Sequence, residues 1–302
     1  MNDAWRKRCW RAVVLIPLVL MAACGRGADD GSIAGGPRPA VEHRRVEVDG
    51  LDRRYRLYTP PDAEGGGPLA LMLALHGSGN SPESLVDASE LDHAASAGSF
   101  IVAYPEAIGL VWNGGFCCTN GRGTAAADVR FLEKVIADVA AVRRIDESRT
   151  YVVGFSSGGI MAYRLACDVA GRFAGIAALA ATMVLDDCSP SRPVSVIAIH
   201  GTADGVVPIE GGRIAGGATR PAPAANAVAE QWASLDGCAS SPRTESRGGV
   251  TTVAWGECAA GARVQLVTVD GGGHNWFHPV YGPPNGALDA TAAVTRFFGL
   301  GR

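Results

Sequence analysis

Five continuous apolar runs constrain what this chain can fold into more than any other feature. They are LALMLALHG at 69–77, FIVAYPE at 100–106, TYVVGFS at 150–156, FAGIAALAA at 173–181 and VSVIAIHG at 194–201. A strand that is apolar on both faces has no solvated side, so each run reads as a strand buried within a sheet. Helical stretches lie between them. At 83–97 the pattern is helical, and at 128–142 Val129, Leu132, Val135, Ile136 and Val139 share one face. Further helices are expected at 157–170, 223–236 and 286–298. Residues 42–48 and 53–59 read as an antiparallel pair, and 250–255 and 263–269 as later strands. Strands alternating with helices imply an α/β fold with a mostly parallel central sheet and helices on both faces. In such sheets, ligands bind beyond the carboxyl ends of the strands.

Composition narrows the class. Of 302 residues, 47% are hydrophobic and 19% charged, which is the balance of a chain with a packed core. The net charge of −3, with no basic stripe beyond the N-terminus, argues against nucleic acid as a partner.

The N-terminus has the form of an export signal. Arg6, Lys7, Arg8 and Arg11 precede the apolar run AVVLIPLVLMAA at 12–23, which is short for a membrane span. Ala22 and Ala23 then lead into Cys24, and Met-Ala-Ala-Cys is similar to a bacterial lipidation site. Met21 stands where Leu is usual, and plain signal cleavage near Ala23 is the competing reading. The expected organisation is a lipoprotein-type signal over 1–24, a flexible tether over 25–40 and one catalytic domain over 41–302. Any contact with a membrane would then be through the lipid anchor alone. Export places the six later cysteines in an oxidising compartment, which favours disulfides. Cys238 and Cys258 flank a hairpin-like excursion and are expected to pair. Cys167 and Cys188 are placed to meet. Adjacent Cys117 and Cys118 are left as a vicinal disulfide or as free thiols. No Cys/His spacing suggests a metal site, and no cofactor is expected.

The chemistry is expected at the strand ends. Gly154-Phe155-Ser156-Ser157-Gly158 is a G-x-S-x-G sequence that follows an apolar strand and opens a helix. In a chain with 40 glycines the pattern alone is weak, so its strand–turn–helix context carries the reading. Ser156 is the expected nucleophile. A serine needs a base, and His274 in the glycine-rich loop GGGHNWF is the choice. His76 and His200 each end a strand in a His-Gly pair, and these read as loop-holding histidines. Asp204, in HGTADGVVP, is the expected carboxylate, ahead of Asp270, Asp186 and Asp187. The order Ser156, Asp204, His274 is a hydrolase order. The Ser157 N–H and the Ser78 N–H in HGSGN are the expected oxyanion donors. Trp112, Asn113 and Trp276 are expected near the cleft, with packing in the core as the competing reading for the two tryptophans.

Together the stretches LALHGSGN, AYPEAIGLVWNGGFCC, ADVRFLEKVI, GFSSGGIMAYRLAC, IHGTADGVVP and GGGHNWF resemble the polyhydroxybutyrate depolymerase/feruloyl esterase-like family of secreted α/β-hydrolases. The resemblance covers nearly all of the chain beyond residue 41. It implies an α/β-hydrolase fold and a serine esterase with Ser156, Asp204 and His274 as its triad. Many members carry Cys where this chain has Ser78, which leaves the backbone donor intact. The implied substrates are feruloyl or acetyl carbohydrate esters, or short hydroxyalkanoate esters. With no room left for an appended polymer-binding domain, small or soluble esters are expected over crystalline polymer. Two other readings stand beside this one. The first is an acyltransferase or peptidase on the same fold, and the second is a non-catalytic surface-binding lipoprotein.

Overall fold

A computed structural model describes residues 39–64, 66–118, 124–215, 218–278 and 287–300. The expected signal over 1–24, with Cys24, and almost all of the expected tether lie outside the described residues. The strands are β1 (Ala40–Val48), β2 (Leu51–Thr59), β3 (Leu69–Leu75), β4 (Phe100–Pro105), β5 (Ile145–Phe155), β6 (Gly175–Leu179), β7 (Ser195–Gly201), β8 (Arg243–Arg247), β9 (Val250–Trp255) and β10 (Val264–Val269). They form one sheet in the order β1-β2-β4-β3-β5-β6-β7-β10-β9-β8. The centre, from β4 through β10, is parallel. Antiparallel pairs close both edges, β1–β2 joined to β4 on one side and β9–β8 on the other.

The apolar runs are buried on both faces because helices cover both. In β3, Leu71, Leu73 and Leu75 enter one core, while Ala70, Met72 and Ala74 enter the other. This is the two-residue period of a strand with no solvated side. The first core packs against α3 (Ala125–Val142), α4 (Ser157–Asp168) and α5 (Ala225–Leu235). The second packs against α1 (Pro82–Ser89), α2 (Leu91–Gly98) and α6 (Ala290–Phe297).

Two elements differ from the sequence expectation. The helix expected at 83–97 is two helices, broken at Glu90, which adopts a left-handed φ of 51°. The strand β8 was not expected. All five of its residues are exposed, so no apolar period marks it, and it exists by pairing with β9.

Disulfides join Cys167 to Cys188 and Cys238 to Cys258, with sequence separations of 21 and 20. Loops of that size give about 3 kcal/mol each through the unfolded chain. Cys117 bonds its neighbour Cys118.

One buried group works against the fold. Asp236 ends α5 and is fully buried. One carboxyl oxygen accepts the Val194 N–H at 3.0 Å, and the other has no partner among the described residues. Burial pushes the carboxyl up to about 6, and the Val194 N–H only partly offsets this. The folded protein therefore holds the proton more tightly than the unfolded chain does. The associated stability is complete below the ordinary aspartate range and is lost as pH rises through about 6. Asp236→Asn should raise the melting temperature by a few degrees at pH 8, and the gain should vanish near pH 4. Thermal unfolding followed by circular dichroism across that range measures both ends.

Candidate active site

The turn between β5 and α4 places Ser156 at the carboxyl edge of the sheet. Its backbone has φ 54° and ψ −119°, a conformation that costs a non-glycine residue about 1–3 kcal/mol. Two glycines make the turn possible by letting strand and helix touch. A Cβ on Gly158 would lie 2.2 Å from the Leu75 carbonyl oxygen. A Cβ on Gly154 would lie 2.2 Å from the carbonyl of Gly158. The Ser156 N–H donates to the Leu179 carbonyl at 2.9 Å, and its own carbonyl accepts from Ile160 at 3.0 Å. Ser156 is thus fixed from both sides while remaining partly exposed. Ser157 opens the helix, where an N–H has no acceptor within the helix and the dipole favours negative charge.

Asp204 lies in the loop after β7 and is 5% exposed. Its Oδ1 accepts the Val206 and Val207 N–H groups at 2.8 and 2.9 Å. Its Oδ2 is 2.8 Å from His274 Nδ1 and 3.4 Å from His200 Nε2. Burial works to raise this carboxyl. The hydrogen bonds from His200, His274, Val207 and Val206 outweigh it and hold Asp204 well below the usual carboxylate range. A carboxylate only accepts, so His274 carries its proton on Nδ1, which leaves Nε2 free to act as a base.

The other two strand-end histidines are built differently. His76 is fully buried. Its Nε2 accepts the Ala107 N–H at 3.1 Å, so its Nδ1 carries the proton and donates to the Gly77 carbonyl at 2.8 Å. Burial pushes its pKa down, so the ring is neutral and ties the HGSGN turn to the loop after β4. His200 donates from Nε2 to the Val207 carbonyl at 2.8 Å, holding the Asp204 loop.

Ser156 and His274 open onto a shared cavity of about 300 Å³ with Ser78 and Asn80. Its apolar lining comes from Val111, Cys118, Phe155, Val206, Ile214 and Ala215. The Phe155 ring lies 4.9 Å from that of His274. Sequence reasoning missed Val111, Cys118, Val206, Ile214 and Ala215. Small apolar residues on loops carry no signal of their own. It also missed the second histidine on Asp204, for which the four-residue spacing of His200 and Asp204 was the available clue.

Three expected cleft residues are corrected by the structure. Trp112 is fully buried, stacks on Phe131 at 6.5 Å, and donates its indole N–H to the His76 carbonyl at 3.1 Å. Asn113 is 5% exposed, and its backbone and side-chain N–H groups both donate to Asp128, at 3.0 and 2.9 Å. Asp128 is also paired with buried Arg53 at 3.0 Å. Trp276 is 7% exposed and donates to Thr291 Oγ1 at 2.9 Å against α6. None of the three lines the cavity. Each apolar ring gains more from the core than from a wet cleft, and each polar atom is satisfied inside.

Comparison with known proteins places the chain among esterases. Residues 121–219 match the family model described as phospholipase/carboxylesterase. NocK of Nocardia uniformis subsp. tsuyamanensis, which carries the name of an esterase, is 34% identical over 77% of this chain and 73% of its own. The chain belongs to the feruloyl esterase-like family of α/β-hydrolases. This esterase is also 29% identical to feruloyl esterase B of Piromyces equi, over 74% of this chain and 42% of the relative, so it spans less than half of that protein. The acetyl xylan esterase of Aspergillus awamori shares the fold, with a TM-score of 0.63 and 16% identity over 86% of this chain and 99% of that one. The esterase is a carboxylic ester hydrolase, and esters are its substrates.

With Trp276 packed in the core, Trp276→Phe should cost about 1–2 kcal/mol of stability through the lost hydrogen bond. KM for a small ester should stay within about twofold of the native value. Chemical denaturation and steady-state kinetics on the same preparation separate the two effects.

Proposed function

We propose that this esterase is an exported serine hydrolase that works through an acyl-enzyme on feruloyl or acetyl carbohydrate esters, or on short hydroxyalkanoate esters. The observation that carries the mechanism is the 2.8 Å contact between Asp204 and His274 Nδ1, with His274 sharing a cavity with the strained Ser156. Ser156 Oγ attacks the ester carbonyl carbon while His274 Nε2 takes its proton. The Ser157 and Ser78 N–H groups stabilise the oxyanion. As the intermediate collapses, His274 returns the proton to the leaving alcohol, and the acyl group stays on Ser156. Water then repeats the cycle and releases the acid. Asp204 remains ionised throughout, holding the His274 tautomer and the imidazolium.

The substrate reading is supported by an apolar-walled cleft with Ser78 and Asn80 at hand for a polar edge, and by relatives named as feruloyl esterases. The reading as an exported protein is supported by the basic, apolar and small-residue order of 1–24, and by three disulfides, which persist in oxidising compartments. In this reading Cys24 is the lipidated residue, residues 25–40 are the tether and 41–302 the catalytic domain.

Residues 25–302 should hydrolyse at least one of p-nitrophenyl acetate, methyl ferulate and 3-hydroxybutyrate oligomers. Ser156→Ala should abolish turnover and also labelling by a fluorophosphonate. Asp204→Asn should lower kcat by roughly 10³–10⁴ with the fold intact, since the wrong His274 tautomer is then favoured. Equal turnover by native and Ser156→Ala protein would refute the mechanism. In cells, Cys24→Ser should move the full chain from the detergent phase to the aqueous phase, and an unchanged partition would refute the anchor.

A further inference from the structure

The disulfide between Cys117 and Cys118 has no evident structural duty. The bridges Cys167–Cys188 and Cys238–Cys258 close loops with separations of 21 and 20 residues and constrain the unfolded chain. A bond between adjacent residues closes no such loop. What it fixes is local, and its locality is the cleft, because Cys118 lines the cavity that holds Ser156 and His274.

The segment before it is clamped. The Phe116 N–H donates to the Val184 carbonyl at 3.1 Å, and its own carbonyl accepts from the Thr219 hydroxyl at 3.2 Å. The Arg220 guanidinium lies 4.0 Å over the Phe116 ring. Cys117 is fully buried in the core. Cys118, the next residue, is partly exposed and adopts φ 66°, a left-handed conformation unfavourable for a residue with a Cβ. A covalent link to the immobile Cys117 holds it there. Without the link, Cys118 gains by relaxing to negative φ, and its side chain no longer occupies the same place in the cleft wall.

We propose that the Cys117–Cys118 disulfide is a specificity-determining wall of the ester cleft, holding Cys118 against the bulky acyl group of the substrate, and that opening it changes which esters are hydrolysed. This rests on the ester-hydrolysis reading above. Tied to buried Cys117, Cys118 presents a polarisable sulfur in a rigid unit, suited to the flat face of an aromatic acyl group. A small acetyl group reaches less of that wall. Opening needs a reductant, here a dithiol. The S–S bond breaks, the two sulfurs take up two electrons and two protons as thiols, and the dithiol closes to its own cyclic disulfide.

The test compares kcat/KM for p-nitrophenyl ferulate and p-nitrophenyl acetate, so that the leaving group is constant. Three proteins are compared with the native one: native protein treated with dithiothreitol without denaturant, Cys117→Ser/Cys118→Ser, and Cys238→Ser/Cys258→Ser. Alkylation and peptide mass spectrometry establish which thiols the dithiol has opened, and circular dichroism establishes folding. The ferulate-to-acetate ratio should fall about tenfold in the protein opened at Cys117 and Cys118 and in the Cys117→Ser/Cys118→Ser variant. It should be unchanged in Cys238→Ser/Cys258→Ser. A ratio that holds within about twofold in both opened forms overturns the proposal, while hydrolysis itself stands. Should the double variant fail to fold, the dithiol-opened native protein decides alone. Native protein that cleaves neither ester overturns the function reading and this one with it.

Discussion

The close approach of α4 to the central strands is the constraint on which the site depends. Ser156 sits at φ 54°, where a residue with a side chain is strained. The surroundings must over-determine such a conformation for it to persist. Here they do so through backbone contact, because Gly158 leaves no room for even a Cβ against the Leu75 carbonyl. The same contact presses the N-terminus of α4 beneath the serine and beside the end of β3, which leads into the HGSGN turn. One packing event thus aims the candidate nucleophile, supplies a helix N-terminus and brings the loop proposed for the second oxyanion donor alongside. The parallel order β3-β5-β6 makes it possible, since all three strands end at the same edge.

Three histidines reach that edge, and their surroundings give them different work. His76 spends both ring nitrogens on backbone groups and is fully buried, so it is a neutral bracket. His200 shares Nε2 between the Val207 carbonyl and the Asp204 carboxylate, and its buried Nδ1 has no partner among the described residues. His274 also pairs one nitrogen with the Asp204 carboxylate, and of the three it is the one that lines the cavity, with its side chain 17% exposed. Asp204 is what separates the roles. Four donors keep it ionised, and an ionised, immobile carboxylate fixes the His274 tautomer.

Much of this was legible in the sequence, and the reason is physical. The apolar runs of the central strands are long because those strands face a core on both sides, and that burial is written directly into Leu69–Leu75 and Phe100–Pro105. The candidate triad residues were legible because each lies just past such a strand and has a chemistry that few residues share. The strand β8 was not legible, since its five exposed residues owe their conformation to β9. Nor was the break at Glu90 between α1 and α2, where no glycine or proline marks the left-handed turn.

The failure at Trp112 and Asn113 shows how the cavity wall is built in this protein. Aromatic and amide side chains on a loop after a strand look like ligand contacts, yet both turn inward. Trp112 bonds the His76 carbonyl, and Asn113 bonds Asp128, which is itself paired with buried Arg53. With its neighbours so anchored, Val111 is held at the cleft. Trp112 and Asn113 thus form scaffold, and the apolar lining of the cavity beside Ser156 and His274 is left to inconspicuous residues such as Val111, Val206, Ile214, Ala215 and Cys118. The shape of a wall made of such residues depends on backbone position as much as on side-chain identity. That is why the candidate triad could be read from residue types, whereas the wall, including the bridge proposed to fix one part of it, had to be read from the fold.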